Sequence, residues 1–408
     1  MSAKSVSLIV PSQGRPTDLT LCLLAVEQLN HTNFEVIVVA DRAGLDALGT
    51  IGMSERIKAV PFHETNISQA RNAGIENASG DIIAFIDDDA VPEPAWLCAL
   101  TDAFESGVGY ATGLTLGPDG VSAQYPPRLV DFAAQHTPMS PRSDVHVVEP
   151  ALGQALKAEG TNCAFDAAAL RALGGFDPAF RFYLDDADLN LRFAQAGYRA
   201  AFSAEATVHH RFTASDRRTK HRVPRSLTEI GASTAYYLRK HADGAVASEL
   251  NVARASQRLR LIRHMVAGRC EPRDVRRLLE SFDQGVLEGL ARPISTSLSL
   301  RPSARSFKRF EPRVKFEAHE MVAGSGIRRR HLRSAAGERV KNGSRVTLVL
   351  KGLPLGRERT AFTASGYWEH RVGVFQPSKP ATAVEHWQPL HKRVPGNAAG
   401  AKRSRTLA

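Results

Sequence analysis

Three carboxylates stand side by side at Asp87, Asp88 and Asp89, where the stretch GDIIAFIDDDAVPEPAWL (80–97) passes from an apolar run into a Pro-rich turn. Like charges this close raise one another's pKa and cost free energy unless positive charge sits among them. A hard cation suits such a stretch, because Mg²⁺ or Mn²⁺ takes one or two carboxylates and completes its shell with water and phosphate oxygens. The plain alternative is an acidic loop, or caps for the helix expected near Pro94. A second acidic group, Asp185, Asp186 and Asp188 in FYLDDADLNLRFAQAGYRA (182–200), shares its stretch with Leu184, Leu189, Leu191 and Phe193 in a helix pattern. There the carboxylates also suit the positive end of the helix dipole.

The elements that must position these groups alternate. VSLIV (6–10), FEVIVVA (34–40), the weaker RIKAVPF (56–62) and DIIAFI (81–86) read as strands, while TDLTLCLLAVEQLN (17–30) and ISQARNAGIENASG (67–80) read as helices. Short connections between them imply an α/β fold with a mainly parallel central sheet flanked by helices. Ligands of such sheets bind beyond the carboxyl ends of the strands, where strand order reverses. Asp41 and Asp87 to Asp89 each follow a strand directly, so they are expected on one rim.

VSLIVPSQGRP, FEVIVVAD, NISQARNAGIENASGDIIAFIDDD, GTNCAFDAAALRALGGFD and YLDDADLNLRFAQAGYR follow one another in the order and spacing of family 2 glycosyltransferases, and the chain resembles that family over residues 4–215. The resemblance implies a GT-A-type, Rossmann-like fold and a metal-dependent, inverting transfer of a sugar from a nucleoside-diphosphate sugar to an acceptor hydroxyl. Polysaccharide or lipid-linked glycan synthesis is the family's expectation. By the same resemblance the donor would meet Pro11, Ser12, Gln13, Asp41, Arg71, Asp87 and Asp88, with Asp41 on the nucleobase and Arg71 on the diphosphate. The metal, Mn²⁺ or Mg²⁺, would fall to Asp89, Asp87 and a histidine of EATVHHRF, His209 being favoured over His210. Asp186 would be the general base with Asp185 beside it, and Asp188 would cap or bridge. Thr161 and Asn162 of GTNCAF would face the acceptor. Two departures from the family pattern bear on the nucleotide: Ala40 replaces the first of the usual aspartate pair, and Gln13 stands where an aromatic residue is common.

The 408 residues carry a formal net charge of +11, and the excess lies at one end. Residues 293–408 hold 23 Lys and Arg against 7 Glu and no Asp. This divides the chain into a catalytic domain (1–220), a helical extension packing on it (221–292) and a basic C-terminal segment (293–408), partly disordered or forming a small β-containing module. Helices are expected at 226–244, 252–268 and 274–292, and a strand at 345–352. The runs IRRRHLR (327–333) and GAKRSRTLA (400–408) suit an anionic partner such as a membrane surface, or are simply solvated. No run reaches the roughly 18 to 20 apolar residues of a spanning helix, and Lys4 before VSLIVP makes no signal peptide. A cytoplasmic protein, with peripheral membrane contact as an option, is the expectation. Cys22, Cys98, Cys163 and Cys270 lack metal-site spacing and read as reduced thiols.

Other classes fit less well. A glycoside hydrolase also needs two carboxylates, but neither a strand-end D-x-D nor a phosphate-binding arginine. A nucleotidyltransferase, or another nucleotide-sugar-binding protein with a basic membrane- or nucleic-acid-binding tail, shares the sheet logic, yet PSQGRPTD is a poor Gly-rich phosphate loop. No helix-turn-helix, zinc-finger or RNA-recognition signature supports nucleic-acid binding.

Overall fold

The computed structural model describes residues 4–213, 217–219, 221–242, 244–294, 300–316, 318–351, 358–372, 375–377 and 387–389. The run GAKRSRTLA lies outside the described residues.

In chain order the first half comprises β1 (Val6–Ser12), α1 (Pro16–Val26), β2 (Phe34–Ala40), α2 (Arg42–Thr50), β3 (Lys58–Pro61), α3 (Ile67–Asn77), β4 (Ile82–Phe85), β5 (Ala90–Pro92), α4 (Trp96–Ala103) and β6 (Tyr110–Leu116). Short strands β7 (Ala123–Tyr125), β8 (Arg128–Asp131), β9 (His136–Pro138), β10 (Val145–Val148) and β11 (Gln154–Leu156) follow. Then come β12 (Cys163–Asp166), α5 (Ala167–Ala172), α6 (Asp185–Gln195) and β13 (Ala200–His210). The main sheet runs β10-β13-β6-β12-β4-β1-β2-β3. From β4 to β3 every pairing is parallel, whereas β12 runs antiparallel to both neighbours. The result is a mixed α/β fold whose central, mostly parallel sheet is flanked by helices.

Every residue of β1, β2 and β4 is buried, which explains why these strands read as unbroken apolar runs rather than alternating ones. One core layer forms under α1 and α4, the other under α3, α5 and α6. Chain direction reverses its lateral progress between β1 and β4, and the carboxyl ends of these two strands open the crevice that the fold offers to a ligand.

Helices α7 (Thr228–His241), α8 (Val246–Val266) and α9 (Pro272–Ala291) form a separate cluster around Leu227, Leu261, Leu278 and Phe282. Glycines let α7 and α9 touch: a Cβ at Gly231, Gly285 or Gly289 would collide with the facing backbone. Residues 300–316 then run back along the first domain, where the Phe310 amide donates to the Phe34 carbonyl (2.7 Å) and Arg313 pairs with Glu27 (2.8 Å). A four-stranded sheet follows, β14 (Ala318–Ser325), β15 (Ser344–Lys351), β16 (Arg359–Phe362) and β17 (Trp368–Val372) in the order β14-β15-β17-β16, with α10 (Arg329–Lys341) packed on it. The basic run IRRRHLR thus feeds α10, a packed helix rather than a solvated tail, with Leu332, Ala336 and Val340 turned to the sheet. Strands β18 (Phe375–Pro377) and β19 (Trp387–Pro389) pair with each other.

Candidate active site

The three adjacent aspartates point three ways. Asp88 has no exposed surface; it accepts from Ser12 Oγ at 2.8 Å and pairs with Arg15 at 2.7 Å. Burial pushes its carboxyl up to about 7, with Asp89 adding to the effect and Arg15 opposing it. Asp88, expected at the donor, is sealed from solvent here, where it anchors Arg15 and the end of β1. Asp89 pairs with the other arm of Arg15 (2.9 Å) and with His210 Nε2 (3.1 Å). Burial works against its charge, yet His210, Arg15 and the Thr213 amide together hold its carboxyl down to about 2. Asp87 is the most exposed of the three and meets Arg71 at 3.3 Å. A first answer to the crowding of carboxylates is therefore a guanidinium, that of Arg15, which sequence reading passed over because it lies 74 residues from Asp89.

One carboxylate oxygen each from Asp87 and Asp89 and one nitrogen of His210 lie within 4.8 Å of one another. Two carboxylates and an imidazole form a donor set that fits a hard or borderline divalent cation such as Mg²⁺ or Mn²⁺. His209, the histidine favoured from sequence, faces the other way: its Nε2 meets Glu93 at 2.9 Å and its ring packs on Trp368, 4.6 Å between centroids. Adjacent residues of a strand project to opposite faces, and His210 is the one that reaches Asp89, its other ring nitrogen held by Gln124 at 2.8 Å.

Arg71 joins the two acidic groups. Buried on α3, it contacts Asp87 with one arm and Asp185 with the other, and stacks on Phe176 at 5.1 Å. Gly160 allows this placement, because a Cβ there would overlap the guanidinium. Burial and the neighbouring Asp186 push Asp185 above the usual carboxylate range, although Arg71 opposes them. Asp186, the more exposed of the pair, behaves differently. Burial would raise its pKa too, but the Lys157 ammonium at 2.7 Å, with Arg71 and the Gly160 amide, holds it below the ordinary value. At Asp186 the effect of burial is thus outweighed chiefly by Lys157, a residue with no sequence signal of its own. Just before the pair, Tyr183 and Leu184 hold φ of 77° and 65°, strained values for residues with a side chain. Asp188 bridges, being buried among Arg192, Lys240 and His241, which keep its carboxyl well below the usual range against the effect of burial.

The remaining expected residues divide. Asp41 sits on the same rim, accepting from the Gly14 amide (2.7 Å) and capping α2 through the Gly44 amide (2.9 Å). Exposed Gln13 donates to the His63 carbonyl at 3.4 Å, and Pro11 and Ser12 are buried at the end of β1. Thr161 is buried beside Gly160. Asn162 departs from its expected acceptor role: it has no exposed surface, accepts from Trp96 Nε1 at 2.8 Å and donates to the carbonyls of Leu114 and Ala206. It ties α4 to β6 and β13, and both of its amide hydrogens are already given to backbone carbonyls.

Residues 7–166 match the model of Glycosyl transferase family 2. Among sequence relatives, the glucosyl-dolichyl phosphate glucuronosyltransferase of Haloferax volcanii is 28% identical over 153 residues, which cover 36% of this chain and 47% of the relative. The pre-mycofactocin glycosyltransferase of Mycobacterium tuberculosis is 26% identical over 219 residues, 51% of this chain and 43% of that protein. The chain thus spans less than half the length of either. A solved mannosyltransferase from Pyrobaculum calidifontis, in complex with GDP-Man and Mn²⁺, overlays with a TM-score of 0.42 at 14% identity, over 71% of this chain and 88% of that one.

Proposed function

We propose that the protein is an inverting, metal-dependent glycosyltransferase that moves a sugar from a nucleoside-diphosphate donor to an acceptor hydroxyl. The observation that carries this reading is the convergence of Asp87, Asp89 and His210 at the carboxyl end of the sheet, with Arg71 linking them to Asp185 and Asp186. Asp87, Asp89 and His210 would hold the cation, which when bound neutralises charge gathering on the leaving diphosphate. Arg71, already oriented by two carboxylates, would turn one arm of its fork to a phosphate oxygen. Asp41, beside the Gly14 amide, is placed for the base of the nucleotide. Asp186 would take the proton from the acceptor hydroxyl as it attacks the anomeric carbon from the face opposite the leaving group, so configuration inverts. The family 2 match over residues 7–166 and the names of the relatives support sugar transfer; a glycan or lipid-linked acceptor in polysaccharide or glycan assembly is the corresponding choice of substrate. No helix among the described residues is long and apolar enough to cross a membrane.

The test is thermal stabilisation by a panel of nucleoside diphosphates, each with Mn²⁺, with Mg²⁺ and with chelator, since a ligand that binds only the folded state raises its melting temperature. One nucleotide should give a metal-dependent shift that Asp89→Asn abolishes. A folded protein that responds to none of them would overturn the reading.

A further inference from the structure

Five non-glycine residues among those described adopt positive φ, and four of them surround the mouth of this site: Tyr183 (77°), Leu184 (65°), Phe212 (58°) and Arg222 (63°). Such strain persists where the surroundings impose it and concentrates at functional sites. Phe212 and Arg222 belong to the segment after β13, which folds back on itself: the Arg225 amide donates to the Arg217 carbonyl (3.0 Å), and the Thr219 amide to the Val223 carbonyl (2.9 Å). The Arg222 guanidinium lies 3.7 Å from the Phe212 ring centroid, and that ring packs on His210 at 4.9 Å. Arg222 is thereby tied to the edge of the candidate metal site. From the other side α8 brings Arg260, within electrostatic reach of Arg218, Tyr125 and Tyr183.

Arg218, Arg222 and Arg260 are all half-buried, and none has a carboxylate within ion-pair distance among the described residues. Arg15 and Arg71, by contrast, each hold a carboxylate of the site. Burial and the nearby Arg218 lower the pKa of both Arg222 and Arg260, with Tyr125 and the more distant Asp89 opposing the shift at Arg222 and Tyr183 and Tyr125 opposing it at Arg260. A cationic group kept partly dry and unpaired next to a reaction centre is poised for an anion that arrives with a ligand.

The position selects which ligand. Tyr183 lies two residues before Asp185, and Tyr125 lies under Arg128 (4.4 Å), which pairs with Glu159, itself a partner of Lys157, the cation on Asp186. Both tyrosines expose about two fifths of their surface, so their rings are open to the face of a sugar. We infer that Arg218, Arg222 and Arg260, flanked by Tyr125 and Tyr183, form an acceptor subsite for a saccharide that bears a phosphate or carboxylate group. The inference rests on the glycosyltransferase reading for the word acceptor, but the subsite itself is a binding claim with its own readout.

The experiment uses the full chain, loaded with Mg²⁺ and the nucleoside diphosphate that stabilises it, and measures by calorimetry the binding of glucose, glucuronate and glucose 6-phosphate. At least one charged sugar should bind tenfold or more tighter than glucose, and Arg222→Ser/Arg260→Ser should remove that preference while the nucleotide-dependent thermal shift persists. Arg218→Ser, a milder change, should weaken the charged sugar alone and serves if the double variant melts early. Equal binding of charged and neutral sugars by the native chain would overturn the subsite. So would competition of inorganic phosphate with the nucleotide, coupled to weaker nucleotide binding in the variants, because the arginines would then serve the donor. Absence of any nucleotide shift would instead count against the glycosyltransferase reading, and the sugar comparison, run without nucleotide, would still decide the subsite.

Discussion

If Asp186 accepts the acceptor's proton, its partner Lys157 sets the pH at which it can do so. A carboxylate base works only when ionised, and the ammonium at 2.7 Å holds Asp186 below its ordinary pKa against the effect of burial. Activity should therefore lose this base only as pH falls below the usual carboxylate value of about 4, and an acid limb above that value would belong to another group. Lys157→Met removes the opposing charge and leaves burial and Asp185 to act, so the acid limb of kcat/KM should move to higher pH. Asp186→Asn should cut turnover by about 10² to 10⁴ while the nucleotide-dependent thermal shift survives; transfer at near-native rates would remove Asp186 from the base role. The acidic members of the site were legible because they are neighbours in sequence. Arg15 and Lys157 were not, since an isolated basic residue acquires meaning only when folding brings a distant carboxylate to it.

At the scale of elements, β13 shows why a pair of histidines could not be resolved by type alone. Residues 209 and 210 pair with Val91 and Ala90 of β5, and strand alternation sends one ring to each face. Which face looks onto the aspartates depends on the register of β13 against its neighbours, and that is a tertiary fact. His210→Ala should weaken metal-dependent nucleotide stabilisation roughly tenfold or more. His209→Ala should act mainly on the melting temperature, through the loss of its Glu93 and Trp368 contacts. The reverse outcome, measured by metal titration in the presence of nucleotide, would return the ligand role to His209. Period also governs what was readable elsewhere. The first four strands of the main sheet and the three long helices after residue 226 carry clear patterns and were anticipated, although α8 begins six residues before its expected start, while β6 and β12 were not named as strands. The strands between β6 and β12 are mostly three or four residues long, too short to show a period. In α10 the apolar spacing of Leu332, Ala336 and Val340 is hidden under arginines.

The whole molecule is held together by contacts between its ends. Glu27 on the first helix-loop turn receives Arg313 and Arg56, and Phe310, about 2% exposed, packs its ring on Phe34 at 5.3 Å with Arg56 over its face. Further along, Trp368 and Phe362 share a cluster with Leu21, Ala25 and Val91, and Trp368 presses on His209, the neighbour of the candidate metal ligand. Net charge left residues 293–408 either partly disordered or a small β-containing module; the apolar and aromatic residues within that basic text dock its described part, and composition averages them away. The two descriptions make opposite forecasts for a pair of substitutions. Phe310→Ala empties a buried aromatic site at the seam with β2 and should lower stability by about 3 to 5 kcal/mol, seen as a shift of the whole unfolding transition because the seam is part of the main core. Arg330→Gln, which removes a positive charge from an exposed position of α10, should change it by no more than about 0.5 kcal/mol. Were the segment a solvated basic tail, neither would move the transition; a large effect of Phe310→Ala alone would mean that residues far beyond the family 2 segment complete the fold that carries the site.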